Sequence, residues 1–141
     1  MISPRHPSTD AIERYRRERL DRPSTAEPAP HPPDGFHHDT WSTPLGTGPA
    51  IFDRARDGIR TWVVQRGSGV EVHPSDAPME PGTVVAVVTR QAGAWLLFAC
   101  CVHNVVYEPD HYGFTYATLP GHPEQGYETF GVRRDPESDE V

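Results

Sequence analysis

Eight histidines, two adjacent cysteines and a scatter of carboxylates are the side chains of this 141-residue chain that can do chemistry. His6 and His31 lie in a proline-rich N-terminal stretch, and His37, His38, His73, His103, His111 and His122 follow. None forms an H-x-H pair, an H-E-x-x-H helix or a C-x-x-C knuckle, so no recognised metal spacing is present. His103 and His111 flank one expected hairpin, and His122 sits in the next loop. Three converging imidazoles would suit zinc or iron; scattered, hydrogen-bonded histidines are the more economical reading. No metal and no cofactor is expected.

Nucleophilic catalysis has little to build on. Ser42, Ser68, Ser75 and Ser138 are outside any G-x-S-x-G elbow. Cys101 and His103 share a strand face, but two residues along a strand put their Cα atoms roughly 7 Å apart, long for a thiolate–imidazole pair. Thr47-Gly48-Pro49 and Gly67-Ser68-Gly69 lack the lysine and glycine spacing of a phosphate loop. Adjacent Cys100 and Cys101 read as reduced thiols packed in a strand, which points to a reducing, cytoplasmic setting.

The richest stretch runs Gly113-Phe-Thr-Tyr-Ala-Thr-Leu-Pro-Gly-His-Pro-Glu-Gln-Gly-Tyr-Glu128. An alternating strand enters a loop clamped by proline and glycine and leaves as a second strand. Rigid loops with a histidine and carboxylates are common binding sites. Two readings stand side by side: His122 with Glu124 or Glu128 as acid–base groups, or a structural loop whose imidazole bonds to backbone. The strand before the loop places Tyr112, Phe114, Tyr116 and Thr118 on one face, and its neighbour offers Trp95, Leu97, Ala99, Cys101 and His103. Such a wall either lines a small-molecule pocket or packs against a helix. The candidate ligand-binding set is therefore Trp95, Tyr112, Phe114, Tyr116, His122, Glu124 and Glu128.

The elements that must position these residues follow from patterning. The formal charge of −7 disfavours a phosphate backbone as partner. All thirteen basic residues are arginine. The longest apolar run, Ala94 to Val102, is nine residues, too short to span a membrane. No secretory signal opens the chain. Residues 1–34 read as a flexible proline-rich arm, with a short helix near 10–20 opened by the Asp10–Glu13 capping-box spacing. From Pro23 to Pro33, five prolines in eleven residues make an extended linker.

Residues 35–141 read as a single α+β domain. A short strand is expected over Gly35–Trp41. Pro49 then opens an amphipathic helix over about 49–66, with Ile51, Phe52, Ala55, Ile59, Trp62 and Val63 in one apolar stripe and Gly67 as a left-handed cap. An antiparallel meander of five or six strands follows: Val70–His73, Gly82–Arg90, Ala94–Tyr107 with a bend or bulge near His103-Asn104, His111–Leu119, and Tyr127–Arg134.

Pro33 to Val141 resemble a bacterial and plant family, domain of unknown function nineteen-ninety. The resemblance rests on Gly35-Phe-His, Leu45-Gly-Thr-Gly, Phe52, Ala55 and Trp62 of the helix, Pro81-Gly-Thr83, Gly113 to Glu124, and Gly126-Tyr-Glu-Thr-Phe130. Ala117 and Tyr127 depart from the family's Gly and Glu. The resemblance implies a helix-grip, START-like sheet wrapped around a C-terminal helix, with the family's last strand and helix missing here, so the domain reads as truncated at its C-terminus. It implies no activity. Three functions remain: a non-enzymatic module holding a small apolar ligand or lipid against the sheet, an acid–base enzyme, and an interaction module completed by a partner, including a homo-oligomer through an exposed sheet edge.

Overall fold

A run of β-branched residues, Val84, Val85, Val87, Val88 and Thr89, opens the part of the sheet that organises the chain. The computed structural model describes residues 1–31 and 33–141; Pro32, part of the expected linker, lies outside them. The named elements, in chain order, are β1 (Ile2–Ser3), α1 (Thr9–Arg17), α2 (Pro49–Arg60), α3 (Val63–Gly67), β2 (Glu71–His73), β3 (Val84–Gln91), β4 (Ala94–Glu108), β5 (His111–Thr118) and β6 (Tyr127–Arg133). The fold is α+β: an open, six-stranded antiparallel sheet in the order β2-β3-β4-β5-β6, with β1 paired to β4. Its faces are taken by short helices, and no grip around a long helix is seen among the described residues.

The hairpin between β3 and β4 turns on Ala92 and Gly93, both at positive φ (48° and 83°). Two such residues make the tight turn whose twist matches the strands it joins. The long strand β4 carries the expected bulge: Val102 pairs with Tyr116 and Asn104 with Thr115, leaving His103 unpaired between them. Residues 35–41 form no strand; they run as turn and coil.

The expected helix over 49–66 is two helices. Trp62 separates them in the left-handed region (φ 64°), costly for a bulky residue. What holds it there is burial: its ring is 0% exposed, meets Phe114 edge-on at 5.2 Å, and donates Nε1–H to the Ala77 carbonyl at 2.9 Å. The break turns Val63 outward, 52% exposed, rather than into the stripe. It also moves the left-handed glycine from Gly67, which is helical, to Gly69 (φ 76°). Phe52, Ile59 and Trp62 pack with Val85, Val87, Cys100, Val102, Tyr112 and Phe114 into the larger core.

The N-terminal segment is docked, not a flexible arm. Ser8 rather than Asp10 caps α1, accepting from the Ala11 N–H at 3.3 Å. Ile12, 2% exposed, packs on Ala86, Val88 and Leu97 across the second face of the sheet. Tyr15 lies over Val84, Ala99 and Leu119. Arg16 Nη1 donates to the Val84 carbonyl and Arg19 Nε to that of Pro120.

Candidate functional site

Register decides which of the aromatic candidates share a surface. Cys101 pairs with Ala117 and Val102 with Tyr116, so the even-numbered side chains of the first half of β4 face those of β5. The anticipated wall of Trp95 with Tyr112, Phe114 and Tyr116 is therefore split between the two faces. Trp95 packs beside Ile12 and Leu97 on the α1 face. Tyr112 and Phe114, 2% and 1% exposed, are core beneath α2 and α3. Phe114 stacks on Phe130 at 5.5 Å and meets Tyr116 edge-on at 5.7 Å.

Tyr116 reaches the rim of this core, where its hydroxyl donates to Glu128 Oε2 at 2.9 Å. Burial, then the neighbouring Cys100 and the Glu128 charge, push the phenol above its ordinary range. Burial likewise raises the Cys100 thiol to about 12, so it is no nucleophile at neutral pH. Gln65 of α3 lies alongside, 5% exposed, and neither Nε2 nor Oε1 has a hydrogen-bond partner among the described residues.

His122 belongs to its loop. Its Nδ1 accepts the Glu124 backbone N–H at 3.0 Å, and its ring meets Phe98 edge-on at 4.2 Å. Burial lowers its proton affinity, outweighing the pull of the Glu124 carboxylate. Glu124 itself is exposed. The three histidines weighed as a metal set do not converge: His111 Nδ1 lies 3.7 Å from Glu108, His103 lines a groove elsewhere, and His122 faces Phe98. Among the described residues, no group of three His, Cys, Asp or Glu is placed to hold a metal ion.

That groove is a concave feature of the α1-side face. It encloses about 390 Å³ between Pro28, Ala29 and Pro30 on one side and His103, Asn104, Thr115, Tyr127 and Thr129 on the other. The β4 bulge turns His103 and Asn104 toward it. The Thr115 and Thr129 hydroxyls face each other across β5 and β6 at 2.7 Å. The proline-rich segment is pinned above by Thr25, whose N–H and hydroxyl donate to the Thr118 carbonyl at 2.8 and 3.0 Å. Tyr127 adds its hydroxyl, donating to the Ala29 carbonyl at 3.0 Å. A smaller hollow of about 250 Å³, lined by Thr25, Ala26, Glu27, Pro33 and Phe36, adjoins it across Tyr127.

Residues 21–141 match the family described as Domain of unknown function (DUF1990). The chain belongs to that family. It is similar to a UPF0548 protein of Dictyostelium discoideum, 29% identical over 110 residues that cover 72% of this chain and 50% of the relative. It is also similar to a UPF0548 protein of Deinococcus radiodurans, 31% identical over 113 residues that cover 73% of this chain and 57% of the relative. The chain thus spans about half the length of these curated relatives. No solved structure matches it.

The Leu-Pro-Gly-His stretch of this DUF1990 chain has a clear structural task. Leu119, 0% exposed, anchors it in the α1-side core. Gly121 (φ 92°) lies so close to α1 that a Cβ would come within 2.8 Å of Tyr15 Oη. None of the seven candidates drawn from the sequence lines the larger groove. Of the residues that do, the sequence offers His103 as a metal ligand, as a partner of Cys101 and as part of the wall, and Thr115 and Tyr127 lie in the stretch Gly113–Glu128; the bend expected near His103-Asn104 is the nearest signal. Nothing in the linker's composition announced that it would lie over β5 and β6.

Proposed function

We propose that this DUF1990 chain is a non-enzymatic module that binds a small polar molecule in the groove beneath Pro28–Pro30. The observation that carries this reading is the hydroxyl, amide and imidazole lining at the β4 bulge, in a groove of about 390 Å³. That volume falls in the range of small-molecule sites. The ligand is polar because the apolar surface of both sheet faces is taken by the chain's own Trp62, Phe114, Ile12 and Leu119. This replaces the apolar ligand suggested by the aromatic wall. The acid–base alternative has less support: the His122 Nδ1 is occupied by backbone, and Glu128 is occupied by Tyr116. Two free thiols, Cys100 and Cys101, favour a reducing compartment, and we place the protein in the cytoplasm.

The test is amide-detected NMR against a panel of uncharged and anionic polar small molecules. A hit should shift His103, Asn104, Thr115 and Thr129, and Asn104→Leu should weaken it at least ten-fold while leaving the fold intact. Shifts that map to His122 and Glu128 instead, or no shifts across the panel, would overturn the reading.

A further inference from the structure

Tyr127 stands between two hollows of opposite chemistry. In the larger groove the polar side chains have capacity to spare. His103 and Asn104 are exposed at the β4 bulge, and their side chains make no hydrogen bond among the described residues. Thr115 and Thr129 share one bond at 2.7 Å, which leaves one hydroxyl hydrogen and lone pairs on both oxygens. The lining can therefore both donate and accept, and it holds neither an arginine nor a carboxylate.

The smaller hollow, about 250 Å³, is different. Its hydroxyls are already engaged: Thr25 donates to the Thr118 carbonyl and Tyr127 to the Ala29 carbonyl, each at 3.0 Å. What remains on its walls is carbon from Ala26, Pro33, Phe36 and the Tyr127 ring, with the exposed Glu27 as the one charged lining residue. A turn sets Phe36 there. Its N–H donates to the Pro33 carbonyl at 3.2 Å, and Gly35 between them takes φ 89°, as the third position of a type II turn requires. Phe36 is 38% exposed and belongs to neither sheet core. Packing within the fold does not account for a phenyl ring at this place.

We infer that the site is bipartite and takes a neutral amphiphile, with a hydroxyl-bearing head in the groove and a short apolar tail beside Phe36. The inference rests on the groove reading and narrows its ligand. Hydroxyls match a lining that donates and accepts at once. An anionic head finds no arginine in the groove, and Glu27 repels a tail that ends in a carboxylate. Size sets the tail. A dry cavity of roughly 150 Å³ holds benzene, so the hollow suits one ring or an alkyl chain of about six carbons, not a long acyl chain. Tyr127, fixed by its bond to Ala29, divides head from tail.

The test titrates the intact chain with methyl and hexyl β-glucoside, below micelle-forming concentration, by amide-detected NMR. Methyl glucoside should shift His103, Asn104, Thr115 and Thr129. Hexyl glucoside should shift these and also Ala26, Gly35 and Phe36. It should bind about thirty-fold tighter, the effect of five added methylenes half shielded from water. Phe36→Ala should cut that ratio to about three-fold, whereas Asn104→Leu should weaken both glucosides and keep the ratio. A ratio near one, with the groove residues still shifting, would overturn the bipartite site and leave the groove reading standing. A ratio untouched by Phe36→Ala would do the same. If neither glucoside moves the groove residues, the hydroxyl-bearing head is wrong, while the groove reading falls only when its whole panel fails.

Discussion

The two faces of the sheet are closed by different means. Under α2 and α3 the seal is made by large rings: Trp62 at 0% exposure, with Tyr112 and Phe114 nearly as deep. Under the N-terminal segment it is made by small strand residues, Ala86, Val88 and Ala99, met by Ile12 and Tyr15. There much of the attachment is polar: Arg16 to Val84, Arg19 to Pro120, Thr25 to Thr118, Tyr127 to Ala29. Apolar burial scales with area, so the first face carries most of the stability. The second is held more by polar contacts, and it is where the open groove occurs. β1 and α1 also precede residue 21, where the family match begins, whereas α2, α3 and β2–β6 lie within it.

The sharpest test of this contrast is Trp62→Ala. It empties the largest buried site and removes the Nε1–H bond to Ala77, so urea unfolding should show a loss of ~4 kcal/mol. Ile12→Ala should cost less, about 2 kcal/mol, because α1 can lift locally. Its signature would be rapid amide exchange in α1 and β1 with β5 still protected. Equal losses for the two substitutions, with global exchange in both, would break the comparison.

A smaller effect probes how β5 and β6 fit together. Gly113 lies where a Cβ would come 2.6 Å from the Phe130 carbonyl oxygen, a backbone atom with no freedom to swing aside. Gly113→Ala must spread the two strands, at a cost of roughly 2 kcal/mol. Gly131→Ala, 3.3 Å from the Tyr112 carbonyl, should cost less. Thermal midpoints of the pair rank them, and the reverse order would mean that β6 is held more loosely than its pairing with β5 implies.

Those strands were legible in the sequence, as were the turn at Ala92-Gly93 and the bulge near His103. Each rests on local chemistry: β-branched runs, residues tolerant of positive φ, and polar residues interrupting an apolar strand. The split of the aromatic wall was not legible. Pairing register sets which face a side chain shares, and shifting it by one residue would have joined Trp95 to Tyr116. The break at Trp62 is not legible because the 3.6-residue stripe continues through it to Val63; burial of one indole overrides the periodicity. Docking of α1 was hard to read because a nine-residue helix is marginal alone and Ile12 is its one fully buried residue. The candidate site shifted for the same reason: its lining comes from a linker whose position only tertiary contacts decide.

Gln65 offers the finest test, because it is the place where the well-sealed face departs from its own pattern. Its amide is buried beside the Tyr116 hydroxyl, and neither polar atom makes a hydrogen bond of ordinary geometry among the described residues. An unmet amide of this kind costs about 1–3 kcal/mol of desolvation, which a contact of poor geometry does not return in full. Leucine is close in size and makes no such demand, so Gln65→Leu should raise stability by about 1 kcal/mol, read as a higher urea midpoint at unchanged slope. A loss of the same size would mean that a bound water or other polar group satisfies the amide. The face closed by large rings would then contain a polar site of its own, and the two faces would differ less than their side chains indicate.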